Sequence, residues 1–415
     1  MTGPEVLTLE RAIEIAMKQQ PSLRQSKAQL EAAQGRVDQA RVIRNPTLGL
    51  SASADIRSQQ PCTAGRLTAN CGGLFDNPVA TASVGAQANW RIYDFGQTAA
   101  NIRAAERTAD AATAAVNTTT LDIRNAVEVA YLDAVARRRL VQVAEATVKS
   151  EDAHLDQAKR FVAAQAKDPI EVAQATSRDA NAKSALAQAQ SNEAIALANL
   201  RSAIGWVEPT NSPTVQANWP SPSDVEPSAL TQLVETARKN RPEIVQLDKE
   251  LLAADANLAA ARAERRPVLS ATASAQWSVD IARDSNSQGD WLAGITLSWP
   301  LFDGGRSAAD VRIARANLAI TTAQRDALLI SLTSELDLAR AQIVANRANV
   351  QASTEAVTAA RAQLQLADAR YAQGLGSQIE LADAQTAVTT AEGNLVQAEF
   401  QLATAWAQLH RATAQ

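Results

Sequence analysis

Trp291-Leu-Ala-Gly-Ile-Thr-Leu-Ser-Trp-Pro-Leu-Phe-Asp-Gly-Gly305 sets Trp291, Ala293, Ile295, Leu297, Trp299 and Leu301 against Gly294, Thr296, Ser298 and Pro300. It then gives way to a long run without glycine or proline. Alternation with period two predicts a strand with one apolar face, and the uninterrupted run predicts a long helix. The end of this stretch has an earlier copy: Trp90-Arg-Ile-Tyr-Asp-Phe-Gly96 answers Trp299 to Gly305. Upstream, Pro21, Pro46, Leu48, Ala52 and Ser53 recur as Pro242, Pro267, Leu269, Ala273 and Ser274 at a second constant offset. The two offsets differ because the loop between the paired strands is longer in the first copy. A duplicated chain with one altered loop accounts for both.

Three more segments alternate in the same way. Leu48, Leu50, Ala52, Ala54 and Ile56 oppose Gly49, Ser51, Ser53 and Asp55; Val84, Ala86, Ala88, Trp90 and Ile92 oppose Gly85, Gln87, Asn89 and Arg91. Leu269, Ala271, Ala273, Ala275, Trp277 and Val279 oppose Ser270, Thr272, Ser274, Gln276 and Ser278. Their lengths suit tilted strands that cross a bilayer, one face to lipid and one to water. The alternative, a soluble sheet with one face on a core, leaves nothing to cover that face, since the helices carry their own seams. Trp90, Tyr93, Trp299 and Phe302 cluster where strand becomes helix, and Trp277 and Trp291 lie nearer the loop ends. Two aromatic levels fit the two membrane interfaces, with lipid between them. Four strands cannot close a barrel, and an open edge cannot exist in lipid. Two chains would give eight strands and a filled interior; three would give twelve and an open lumen.

The helical runs cover residues 97–163 and 307–373. In the second, Leu329, Leu336, Ile343, Val350, Val357, Leu364 and Tyr371 form a strict seven-residue column, answered in the first by Val127, Ala134, Val141, Val148, Leu155 and Val162. Such a repeat imposes a left-handed supercoil. The neighbouring column (Ala339, Asn346, Ser353, Ala360, Ala367) is small or polar, which favours helices laid side by side in a wall. Each run would reach about 100 Å at 1.5 Å per residue. Shorter helices over residues 21–44 and 169–203, with Pro21, Pro169 and Pro242 suited to first turns, would stack end to end beside the long ones.

Bulk properties narrow the function by exclusion. The chain has 415 residues, a net charge of −4 and only 4% aromatic residues, so nothing recommends nucleic acid as a partner. No apolar run approaches the roughly 18 residues of a membrane helix. The first residues lack the pattern of a signal peptide, which is expected to be absent or already removed, and no cysteine near residue 1 suggests a lipid anchor. Cys62 and Cys71, the only cysteines, fall in the longer first loop, where a disulfide in an oxidising compartment is expected. His154 and His410 are the only histidines and have no metal-ligand or triad company. No metal, no cofactor and no enzymatic activity are therefore expected.

The chain resembles the TolC-type outer-membrane efflux family over essentially its whole length. The resemblance rests on the duplicated plan, on Trp299 to Gly305, and on Arg370-Tyr-Ala-Gln-Gly-Leu-Gly-Ser-Gln-Ile-Glu-Leu-Ala-Asp-Ala-Gln385. It implies a mainly α fold with a membrane β-barrel. Long duplicated coiled-coil helices form an α-barrel, and four strands per chain contribute to a shared twelve-stranded barrel of a homotrimer. It further implies an exit duct in the outer membrane of a Gram-negative bacterium, with a helical tunnel in the periplasm. That duct would serve a tripartite efflux pump or type I secretion system, docked by a periplasmic adaptor (membrane fusion) protein and an inner-membrane pump. The domains then read as helical 1–46, paired strands 47–93 with outer loop 57–81, long and returning helices 97–205, and an equatorial linker 206–228. The second copy reads as helical 229–266, paired strands 267–303 with outer loop 281–290, and helices 304–415.

Gly374-Leu-Gly-Ser377 would form an adaptor-docking tip, which the matching turn at residues 164–168 shows less well. Glu380 and Asp383, three residues apart on one helical face, fall at the family's gate positions and would form carboxylate rings in a trimer. Glu171 is expected to accept a hydrogen bond from Tyr371 in the closed state. Gly376 stands where some members carry an arginine that helps lock the gate, so the lock here should be looser or differently built. Competing classes are a soluble coiled-coil scaffold, which leaves the strands unexplained, and a helical pore-forming toxin, which leaves the duplication unexplained.

Overall fold

The computed structural model describes residues 6–58, 78–207, 214–219, 228–281 and 287–414. Cys62 and Cys71 lie outside them. The chain divides into two compact units: one holds Leu30–Ala112 and Leu247–Gln324, the other Met1–Gln29, Thr113–Gln246 and Arg325–Gln415.

The first unit is built on one antiparallel sheet. Hairpin strands β2 (Thr47–Ser58) and β3 (Pro78–Tyr93) join β5 (Val268–Asp280) and β6 (Ser287–Ser298) in the order β2-β3-β5-β6. The register carries the sequence alternation across every pair. Leu50 faces Ala86, Val84 faces Trp277 and Ala275 faces Trp291, while on the opposite face Ser53 meets Ser83, Gln87 meets Ser274 and Gln276 meets Asp290. One continuous apolar face and one polar face result, and the apolar side chains are bare: Leu50 is 79% exposed and Trp291 82%.

Three details depart from the period-two reading. Ser287 pairs with Val279, so the strand enters what the sequence placed in the outer loop 281–290; Pro78–Thr81 and Arg57–Ser58 likewise pair inside 57–81. At the other end β6 stops at Ser298 rather than Leu301, where Pro300 has no N–H to offer a ladder. Finally, the register slips between Arg91 and Tyr93, leaving Ile92 as a bulge. The bulge turns Tyr93 onto the apolar face opposite Leu269, its ring centre 4.7 Å from that of Phe95 in an edge-to-face contact.

Each hairpin leads into a 67-residue helix, α3 (Gln97–Ala163) or α7 (Arg306–Ala372). The shared Asp of the duplicated motif explains how both start. Asp94 accepts N–H bonds from Gly96 (3.2 Å) and Thr98 (2.8 Å); Asp303 accepts them from Gly305 (3.0 Å) and Ser307 (2.9 Å). The Thr98 and Ser307 hydroxyls donate to the same carboxylates, so each helix begins with a first-turn N–H capped by the same residue of the motif.

Among the described residues the regular structure of the second unit is helical apart from a two-residue parallel pairing of β1 (Val6–Leu7) with β4 (Thr214–Val215), which the sequence did not announce. Its two main cores repeat the duplication. α1 (Leu9–Gln19) and the start of α2 (Pro21–Val42) pack Ile15 and Leu23 on Val127, Tyr131 and Val135 of α3, with Leu200 of α4 (Ile170–Ile204). α5 (Leu230–Asn240) and α6 (Pro242–Ala263) pack Leu233 and Ile244 on Leu332, Leu336 and Ile343 of α7, with Leu402 and Leu409 of α8 (Gln378–Thr413). The heptad columns are the seams: Val127, Ala134, Val141, Leu336, Ile343, Val357 and Tyr371 are all buried, and so are Ala339, Ala360 and Ala367 beside them. No helix among the described residues is long and apolar enough to cross a membrane.

Candidate functional site

Further along the second unit, α3 and α4 are joined by a turn at residues 164–169, α7 and α8 by a turn at residues 373–377. Gly374 takes φ +74°, and the N–H groups of Leu375 (2.9 Å) and Gly376 (3.0 Å) both reach back to the Arg370 carbonyl, closing the end of α7. A β-carbon on Gly376 would stand 3.0 Å from the Tyr371 nitrogen and 3.2 Å from the Arg370 carbonyl carbon. Glycine is therefore what lets the chain fold back this tightly. Ser377 then opens α8, its Oγ accepting from the Glu380 N–H at 3.1 Å.

The two turns meet on Tyr371. The residue is 1% exposed, and its ring makes an edge-to-face contact with Phe161, centres 5.6 Å apart. Its hydroxyl donates to Glu171 Oε2 at 2.9 Å, and burial together with that bond pushes the phenol pKa up to about 12. Gln378 donates through Nε2 to the Glu171 carbonyl at 2.8 Å. Lys167, from the first turn, reaches across: its Nζ is 3.6 Å from Glu171 Oε1, 3.4 Å from the Gly376 carbonyl, and 5.5 Å from the centre of the Tyr371 ring. Behind this cluster, His154 of α3 contacts Asp368 of α7 at 3.1 Å.

The remaining expected site residues are placed differently from Glu171. Glu380 lies in the first turn of α8 and pairs with Arg370 of α7 at 3.3 Å, both side chains largely in water. Asp383 is exposed one turn further. Leu375 is bare at the apex of its turn. Among the aromatics, Trp90 donates through Nε1 to the Arg44 carbonyl at 3.0 Å, and the Trp277 ring lies over Gly289, where a β-carbon would meet it at 2.8 Å. Tyr93, Trp291, Trp299 and Phe302 are exposed. Lys167 and Gln378 were not anticipated; a turn lysine and a first-turn glutamine are ordinary surface residues until the partner hairpin is in place.

No group of three or more His, Cys, Asp or Glu side chains suited to a metal ion occurs among the described residues. The turns present charge, fixed at Glu171 and Lys167 and exposed at Glu380 and Arg370.

The model of the outer membrane efflux protein family matches residues 12–206 and 233–415. Protein CyaE of Bordetella pertussis is 30% identical over 383 residues, covering 92% of this chain and 78% of that protein. Outer membrane efflux protein BepC of Brucella suis is 24% identical over 338 residues, covering 78% and 71%. The CmeC outer membrane channel of Campylobacter jejuni has the same fold, with a TM-score of 0.81 over 98% of this chain and 85% of that one, at 16% identity. An outer-membrane protein of the efflux type and not an enzyme, the chain belongs to the outer membrane efflux protein family.

Proposed function

We propose that three copies of this chain form a channel-tunnel, the exit duct of a tripartite efflux pump or type I secretion system. The observation that carries this reading is the sheet: among the described residues β2 and β6 have no partner on their outer edges, and the large apolar side chains of one face, Leu50, Ile56, Val84, Trp277, Trp291 and Ile295 among them, are exposed. In lipid such edges must be paired. Three four-stranded sheets joined β6 to β2 give twelve strands, apolar outward and polar toward the lumen, with room for a passage.

The tip turns then serve control. The Tyr371–Glu171 bond, with Lys167 and Gln378 around it, holds the two hairpins together and corresponds to a closed state. Glu380 and Asp383 would form rings of carboxylates where three α8 starts converge, attracting cations and narrowing the entrance. Gly374, Leu375, Gly376 and Ser377 are the surface proposed for a periplasmic adaptor, which brings an inner-membrane pump. Energy comes from that pump; the duct supplies a gated path.

The test is native mass in detergent. A particle near three times 44.0 kDa is expected. A monomer soluble without detergent would return the chain to a scaffold role.

A further inference from the structure

The His154 side chain is only 9% exposed, and the fold has put carboxylates on two sides of it. Nε2 lies 3.1 Å from Oδ1 of Asp368 on α7; Nδ1 lies 4.0 Å from Oε2 of Glu151, one turn back on α3. From α4, Arg178 approaches the same Glu151 oxygen at 3.4 Å, and Asp179 shares Lys183 with Asp152 of α3. The group facing this region from α8 is neutral: Gln385, whose Oε1 accepts from Ser150 at 2.7 Å. Glu151 is thus answered by Arg178, while among the described residues Asp368 makes no ion pair except with the imidazole.

A neutral imidazole has one N–H to give; a protonated one donates from both nitrogens and carries the charge that Asp368 lacks a partner for. Histidine is also the side chain that ordinarily changes charge between about pH 5 and 8. Asp368 stands three residues before Tyr371, so it shares that residue's helical face one turn behind the Tyr371–Glu171 bond.

We propose that His154 is a proton-controlled tie between the α3–α4 and α7–α8 hairpins. Protonated, it holds α7 against α3 behind Tyr371; as pH rises and the proton leaves, the charged contact to Asp368 is lost and the α7–α8 hairpin separates more readily. The inference rests on the gating reading above and names its regulation. Acid closes, neutral pH loosens.

Two measurements test it on the full-length protein. In planar lipid bilayers, open probability should rise by about tenfold between pH 5.5 and 7.5, the scale of losing one hydrogen bond to a charged group. That window lies above the range where carboxylates ordinarily titrate. His154→Gln should abolish the rise and sit at the high-pH level, and Asp368→Asn, a change at a half-exposed position, should do the same. Hydrogen exchange over residues 363–372 in detergent, corrected for the intrinsic pH dependence, should lose protection across the window in the wild type and not in His154→Gln. A rise retained in full by both variants overturns the tie. If no channel forms, the proposed function fails, and the exchange experiment still decides: protection independent of pH sinks the tie, and a His154-dependent loss upholds it.

Discussion

Glu171 and Glu380 hold the same place in the two copies, each just inside the helix that follows a turn, yet the fold treats them differently. The Glu171 side chain is 16% exposed and fixed by Tyr371 and Lys167, whereas that of Glu380 is 40% exposed and pairs with Arg370 on a solvated face. The difference comes from the turns before them. Gly374 is answered by Gln165, which takes φ +57° in the left-handed region, and Gly376 by Lys167. The first copy accepts backbone strain and gains a long cation that can cross to its twin; the second keeps the glycines and a tight, bare apex. One carboxylate is held between the two hairpins while the other lies in water beside Arg370. Duplication supplied two equal parts, and substitution at two turn positions made them complementary.

The comparison breaks most sharply at Tyr371. In Tyr371→Phe, Glu171 loses its phenol donor inside a mostly enclosed site, at a cost of roughly 1.5–3 kcal/mol to the closed arrangement. Conductance in planar bilayers should rise by at least about tenfold, since about 1.4 kcal/mol is a factor of ten. Glu171→Gln should raise it too, and the double variant should add little because both remove the same bond. Fully additive effects would falsify the anchor. Changes at Glu380 should leave this coupling intact.

A smaller effect sharpens the claim about strain. Left-handed backbone costs a residue with a β-carbon about 1–2 kcal/mol. Gln165→Gly should therefore stabilise the α3–α4 turn by up to about 1 kcal/mol after its own entropic cost. Gly374→Gln should destabilise its counterpart by about 1–2 kcal/mol. Thermal unfolding of each variant in detergent checks the pair. Equal losses from both changes would mean that Gln165 is held by side-chain contacts and that the turns do not differ in strain.

How far the sequence reveals this depends on which forces act locally. The strand faces are legible because lipid and water impose a period of two residue by residue, and the seams are legible because Leu336, Ile343 and Val357 repeat every seventh position. The bulge at Ile92 is not, because it exists only in the register between β3 and β5, set by residues far apart in the chain. For the same reason the β1–β4 pairing and the strand residues at Ser287 escape notice: two or three bridges leave no periodic trace. At the tip, the heptad column marks Tyr371 as a seam residue, but its pairing with Glu171 comes through family resemblance alone. Lys167 and His154 needed the partner hairpin, since a lysine in a turn and a histidine on a seam look alike in every helical protein.

The smallest effect at neutral pH, and a clean one, is the alkaline titration of the anchor. The folded structure pushes the Tyr371 phenol up to about 12, above the ordinary value of 10, first because burial disfavours phenolate and then because Glu171 accepts its proton. The protonated phenol is thus the form the fold favours. Its contribution is fully present below about pH 10 and is lost as pH rises through about 12. Glu171 and a phenolate would then repel at hydrogen-bonding distance, so the hairpins should part in that window while neutral-pH behaviour is untouched. Hydrogen exchange over residues 363–376 on stepping from pH 9 to 11.5 should show the loss in the wild type. Tyr371→Phe, already loosened at neutral pH, should show no further step there. A variant that steps as the wild type does would move the alkaline transition to another group and leave Tyr371 as packing alone.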